Sequence, residues 1–182
     1  ALIKIEKEAD FFETYRKLYF MQNAVYCDTT KGEYDIIMLI QGENEEECKA
    51  ICDNELSKIE GIKDIEFLSV KKPLIEDSLN DILNIADSME SMEQNKNREF
   101  SKRVCSYVLL DVEKEKFDKV YPVLKLNDQV VYCDYTNGKY NMVIFVQGGY
   151  FSEIDKFIEE KVSNIEGILK VKEFPVVNMF DM

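Results

Sequence analysis

Cys48 and Cys52 stand four residues apart, a spacing that puts both thiols on one face of a helix, where they could offer a metal two soft ligands. No second cysteine pair follows nearby and the chain has no histidine, so the pair reads as part of a buried apolar face with Ile51, Leu56 and Ile59. The missing imidazole also removes Ser-His-Asp and Cys-His nucleophile systems, His-ligated haem and most catalytic zinc sites. Glu43, Glu45, Glu46 and Glu47 gather negative charge where a helix begins, which suits the helix dipole. A calcium site would instead space its oxygen ligands around a loop. No metal and no cofactor is expected from these residues. Acid–base work falls to Tyr, Asp and Glu side chains, with Arg16, Arg98 and Arg103 as the only guanidinium groups.

The formal charge of −13 repels phosphate backbones and anionic lipid, and no local run of lysines offsets it. Direct nucleic-acid binding and membrane-surface binding are therefore not expected. The longest apolar run, Ile36-Ile37-Met38-Leu39-Ile40, has the length of a strand and not of a membrane span. The amino end, Ala1-Leu2-Ile3-Lys4-Ile5, has no secretory signal pattern. Five cysteines, an odd number in a chain with 46% hydrophobic residues to fill a core, point to reduced thiols in a cytoplasmic protein.

The elements that must position these groups come in two copies. Val25-Tyr26-Cys27-Asp28-Thr29-Thr30-Lys31-Gly32-Glu33-Tyr34 recurs as Val131-Tyr132-Cys133-Asp134-Tyr135-Thr136-Asn137-Gly138-Lys139-Tyr140, a shift of 106 residues. The same shift carries Gln41-Gly42 to Gln147-Gly148, Ile59-Glu60-Gly61-Ile62 to Ile165-Glu166-Gly167-Ile168, and Phe11, Tyr15 and Leu18 to Phe117, Tyr121 and Leu124. One offset held over that span marks a duplication, and the recurrence of Cys27 as Cys133 follows from it without redox chemistry.

In the first copy, apolar spacing and turn residues predict strand 2–5, helix 10–21, strand 24–28, a glycine turn, strand 34–41, helix 44–58 and strand 62–70. Asn44 and Glu47 resemble a capping box, and Gly61 ends the helix. The second copy predicts 104–111, 113–126, 130–134, 140–147, 152–164 and 168–177, with Pro122 expected to kink or shorten its first helix. This is the α+β, ferredoxin-like βαββαβ order, written twice. Its antiparallel sheet carries helices on one face only, which predicts dimeric α/β-barrel-like pairing of sheets, as an intramolecular pseudo-dimer or a homo-oligomer. The domain boundaries expected are 1-75, an acidic helical linker at 76-100 with Leu79, Ile82, Leu83, Ala86 and Met89 at helical spacing, and 101-182.

The turn Thr30-Lys31-Gly32-Glu33-Tyr34-Asp35 leading into Ile36–Ile40, and the Ile59-Glu60-Gly61-Ile62 helix ending, resemble the ligand-binding domain of the Lrp/AsnC regulators, the domain for regulation of amino-acid metabolism. The resemblance covers most of both copies. It departs from that family in starting its first strand at Leu2, with no helix-turn-helix before it. Lys31 also intervenes between threonine and glycine, Asn141 replaces the turn aspartate in copy two, and Pro175 stands where Ser69 matches a family threonine. The resemblance implies an effector amino acid beside the glycine turn. Its candidate contacts are Thr30, Gly32, Tyr34, Asp35 and Ser69, then Thr136, Gly138, Tyr140 and Asn141. Turn N–H groups would hold the carboxylate and side-chain oxygens the ammonium. The same residues serve equally as the corners of a hairpin.

The function expected from this resemblance is a non-enzymatic sensing or oligomerisation protein that binds a small ligand, with amino acids as the class implied. Two alternatives stand beside it. One is a cofactor-free enzyme of the dimeric α/β-barrel type, performing small-molecule oxidation or decarboxylation with Tyr, Asp or Arg. The other is a purely structural pairing module.

Overall fold

The computed structural model describes residues 1–71 and 103–177; the linker helix expected at 76–100 lies outside the described residues. The chain forms two compact units, Ala1–Ser69 with Phe174–Met182, and Val70–Glu173. Among the described residues, no helix is long and apolar enough to cross a membrane.

In the first unit the elements are β1 (Leu2–Ile5), α1 (Phe11–Tyr19), β2 (Ala24–Thr29), β3 (Ile36–Ile40), α2 (Glu45–Asn54), a 3-10 turn at Leu56–Lys58, and β4 (Ile62–Glu66). The antiparallel sheet runs β2-β3-β1-β4. The uninterrupted apolar sequence of β3 suits an inner strand whose two faces are both removed from water: Ile36 and Met38 join the helix-side core, while Ile37 is buried on the other face. Ile3 and Ile5 of β1, Leu18 of α1, and Ile51 and Leu56 complete that core.

Local chemistry sets the helix starts. The Asp10 carboxylate accepts the Glu13 N–H at 3.0 Å, and the Asn44 amide oxygen accepts the Glu47 N–H at 2.9 Å. Glu47 reaches back to the Glu43 N–H at 2.6 Å, one residue before the cap. Gly61 takes φ +95°, and a Cβ built there would lie 2.4 Å from the Thr14 hydroxyl and 2.9 Å from the Ala9 methyl. Glycine is therefore required both for conformation and for space.

In the second unit the elements are β5 (Val70–Lys71), β6 (Val104–Val112), a 3-10 turn at Lys114–Lys116, α3 (Phe117–Lys125), β7 (Val130–Thr136), β8 (Met142–Gly148), α4 (Phe151–Phe157) continued by a π turn at Ile158–Val162, and β9 (Ile168–Pro175). The sheet order is β5-β7-β8-β6-β9. Val108, Leu110, Met142, Ile144 and Val146 meet Val120, Leu124, Ile154 and Val162 in the core.

Both units match the expected element order, with two local differences. Pro122 does not shorten its helix: α3 has nine residues, as does α1, and the helix begins with a 3-10 turn. The strand expected at 62–70 breaks after Glu66, and Val70–Lys71 forms a separate strand opposite Tyr135 and Thr136. In the first unit Val176 pairs with Thr30, and the Val177 N–H donates to the Thr29 carbonyl at 2.9 Å. Each unit thus extends its sheet with residues from beyond its own repeat. A bulge at the same place in β2 and β7 leaves Val25 and Val131 exposed. Such a bulge disfavours pairing with a foreign strand edge.

Candidate active site

The loop from Thr30 to Asp35 is held from within. The Thr30 N–H donates to the Asp35 carbonyl at 2.8 Å and its hydroxyl to the Tyr34 carbonyl at 3.0 Å. The Lys31 N–H donates to the Pro175 carbonyl at 2.9 Å. Gly32 adopts φ +142°, with the Phe174 ring 3.2 Å from where a Cβ would stand. The Asp35 carboxylate accepts the Ile5 N–H at 2.8 Å. In the second unit the Thr136 hydroxyl spans to the Tyr140 carbonyl. The Asn141 amide there accepts from the Val112 N–H at 2.8 Å and donates to its carbonyl at 2.7 Å. Gly138 is not among the described glycines with positive φ. Tyr140 lies with Lys139 Nζ 5.7 Å from its ring centroid. Ser69 is buried just before β5.

One of the residues singled out from sequence meets groups that sequence reasoning missed. Tyr34 is only 6% exposed, and its hydroxyl donates to the Glu66 carboxylate. The Lys4 ammonium sits 4.9 Å from the Tyr34 ring centroid and forms an ion pair with Glu33 at 3.3 Å. Phe174 packs against the same ring at a centroid distance of 5.7 Å. Lys4 alternates with the core residues Ile3 and Ile5 on β1, and Glu66 follows the core residue Ile65 on β4. The cluster therefore stands on the sheet face opposite the helices. A phenol shielded from bulk water, bonded to a carboxylate and flanked by an ammonium, is suited to deliver a proton to a reacting carbon.

A separate cleft of about 410 Å³ lies at the other end of β3, lined by the carboxamides of Gln22, Asn23 and Gln41 and the carboxylates of Glu43 and Glu47. Gln129, the repeat equivalent of Asn23, keeps its Nε2 buried with no acceptor among the described residues. The second unit has its own polar contact inside the helix side of its sheet. Ser106, fully buried, donates to Glu173 at 2.6 Å. Burial pushes the Glu173 carboxyl above its ordinary 4.5; the Ser106 bond pulls it down, and the Asp155 carboxylate adds to the rise.

No family model matches the chain, and no curated protein resembles it at a significant level. Its fold is similar to solved structures of the siroheme decarboxylase NirDL. The first, of NirDL itself, has a TM-score of 0.61 and 11% identity; the second, in co-complex with an iron-uroporphyrin III analogue, has a TM-score of 0.60 and 13% identity. Each match covers 97% of this chain and 70% of that one. This finding corrects the expectation of a non-enzymatic sensing protein tied to transcription regulation, and it favours the enzyme alternative. The tandem ferredoxin-like fold is shared with the solved NirDL structures, so it is not specific to the Lrp/AsnC regulators that the glycine turn and the helix ending resemble. Two tandem α+β, ferredoxin-like units in the manner of NirDL are what the chain is shown to contain.

Proposed function

We propose that this chain is a non-oxidative decarboxylase acting on a small organic molecule that bears several carboxylates, of the tetrapyrrole class that NirDL binds. The observation that carries the reading is the Tyr34–Glu66 pair beneath Lys4. In such a reaction the bond between a substrate carbon and its carboxylate breaks and carbon dioxide leaves. The electron pair stays on the carbon, which must then take up a proton. Tyr34 turns its hydroxyl proton from Glu66 to that carbon and becomes a phenolate, and Glu66, having taken a proton from solvent, returns one to the phenolate. No oxidant or reductant enters the balance. The chain has no histidine, so imidazole cannot serve as the proton donor, and a phenol–carboxylate pair fills that role. The fold supports the reading through its likeness to a decarboxylase, and five cysteines outside any disulfide suit a reducing, cytoplasmic setting.

The test is incubation of the protein with uroporphyrin III and its iron complex under anaerobic conditions, followed by mass spectrometry for loss of carboxyl groups. Wild type is expected to decarboxylate at least one of them. Tyr34→Phe is expected to slow the reaction roughly 10²–10⁴-fold, the usual worth of a general acid, while circular dichroism shows the fold intact. Unchanged porphyrin with wild-type protein overturns the proposal.

A further inference from the structure

Asn137 is the only asparagine of the chain that precedes a glycine. In an Asn-Gly pair the glycine has no Cβ to obstruct the approach of its nitrogen to the asparagine side-chain carbon. Every other asparagine precedes a residue that carries a side chain. The repeat does not demand this pair, since the equivalent residues of the first unit are Lys31 and Gly32.

The second unit leaves the pair open to the reaction. β7 ends at Thr136, β8 begins at Met142, and Asn137 is exposed on the bend between them. That loop is anchored at its ends: the Thr136 N–H donates to the Asn141 carbonyl at 3.0 Å, and the Asn141 N–H to the Leu110 carbonyl at 2.9 Å. Among the described residues nothing accepts the Gly138 N–H, so the attacking nitrogen has no protein acceptor to leave. The first unit buttresses its turn instead. There the Pro175 carbonyl holds the Lys31 N–H, and the Phe174 ring lies over Gly32. Four other asparagines have their side chains engaged with backbone. Asn44 accepts from Glu47, Asn127 from Gln129 and Asn141 from Val112, while Asn164 donates to the Glu159 and Glu160 carbonyls.

We infer that Asn137 is a site of spontaneous covalent modification, converting through a cyclic imide to aspartate and isoaspartate. The Gly138 nitrogen gives its proton to solvent hydroxide and bonds to Asn137 Cγ. The Cγ–Nδ2 bond breaks, and the leaving nitrogen takes a proton from water and departs as ammonia. Water then opens the ring at one of its two carbonyls. One opening restores the ordinary main chain with an aspartate side chain; the other routes the main chain through the former side chain as isoaspartate. The sum is amide plus water giving carboxylate plus ammonium, and nothing is oxidised or reduced. The product adds a negative charge two residues before Lys139. In the isoaspartate form the loop is also longer by one methylene between its anchors, and its free α-carboxylate is open to methyl esterification by an isoaspartyl methyltransferase. The inference stands independently of the decarboxylase reading.

The experiment is timed incubation of the folded full chain in mildly alkaline buffer, with digestion and mass spectrometry of each sample. Isoaspartate is counted separately, by methyl transfer from S-adenosylmethionine with an isoaspartyl methyltransferase. The peptide holding Asn137 is expected to gain the mass of amide-to-acid conversion and to accept methyl groups, with fragment ions placing the change at Asn137 and not Asn127. Peptides holding Asn44, Asn141 and Asn164 are expected to stay unchanged. Asn137→Gln is expected to lose the methyl-accepting signal, and the wild-type time course decides the matter where that variant is unstable. Conversion in a urea-unfolded sample but not in the folded chain shows that the fold protects the pair, and overturns the inference. No conversion in either sample overturns it as well. Aspartate without isoaspartate overturns the cyclic route, and equal conversion at the other asparagines overturns the selectivity.

Discussion

Asp35 and Asn141 perform the same backbone duty with different chemistry. Each stands after the tyrosine of its glycine turn, and each side-chain oxygen accepts, at 2.8 Å, the N–H that ends the first strand of its unit's repeat, Ile5 in one and Val112 in the other. Asn141 also donates to the Val112 carbonyl at 2.7 Å, which a carboxylate cannot do, so an amide can take the place of the carboxylate at position 35 while keeping its acceptor bond. Asp35→Asn is therefore expected to leave stability within about 0.5 kcal/mol of wild type. Asp35→Ala, which strands a partly buried N–H, is expected to cost about 1–3 kcal/mol. Urea denaturation with a fixed m-value measures both, and an Asn variant as damaged as the Ala variant would show that the charge itself matters.

Gly61 offers a sharper lesion. Its φ of +95°, and the 2.4 Å that would separate an alanine methyl from the Thr14 hydroxyl, leave alanine neither conformation nor room. Thr14 is itself buried and tied to the Asp10 and Glu60 carbonyls at 3.0 and 3.2 Å, so it cannot swing aside without loss. Gly61→Ala is expected to destabilise the protein by about 2–4 kcal/mol, and relief by the double variant Gly61→Ala/Thr14→Ala would locate the strain. A melting temperature unchanged by Gly61→Ala contradicts the packing described for this turn.

Thiol reactivity should divide by burial. Burial pushes the Cys27 thiol up to about 12 and raises Cys133 and Cys52 as well. Cys48 and Cys105 are partly exposed. Titration with an aromatic disulfide reagent at about pH 8, near the ordinary thiol pKa, is expected to label Cys48 and Cys105 in the native protein. The other three react only after unfolding, with peptide mapping to assign the sites. Rapid native labelling of Cys27 or Cys133 would be inconsistent with the matching core positions the repeat gives them.

The Glu173 carboxyl sets a pH dependence of definite sign. Its folded pKa is raised above the ordinary 4.5, chiefly by burial. In the window between 4.5 and the raised value, the folded state keeps a proton that the unfolded chain has released. Stability therefore falls as pH rises through that window. Glu173→Gln, which can still accept from Ser106, is expected to remove this slope and to raise Tm at neutral pH by about 2–4 °C. Melting curves from about pH 4 to 8 test it; a variant less stable than wild type at neutral pH reverses the argument.

Much of the architecture was legible beforehand because a duplication repeats its signals. The offset of 106 residues, the apolar run of β3, the cap at Asn44 and the glycine at 61 each state a local requirement that holds wherever the segment lies. Pro122 leaves the helix length unchanged, since α3 has nine residues as α1 does. Strand 62–70 misled because its apolar pattern continues across a break, and only its partner at Tyr135 and Thr136 reveals a second strand.

The candidate site divides along the same line. Tyr34 could be chosen from its turn, but Glu66, Lys4 and Phe174 lie 32, 30 and 140 residues away from it in the chain, and no local pattern ties them to it. Strand register also departs from the offset, since β1 and β6 are displaced by one residue from the shift the rest obeys. The sequence by itself determined the repeated βαββαβ order and the absence of imidazole, since element order follows from local periodicity and composition from counting. Tertiary structure decided which carboxylate meets the Tyr34 hydroxyl and which carboxylate meets Lys170, because strand register sets those contacts and register is a relation between distant segments.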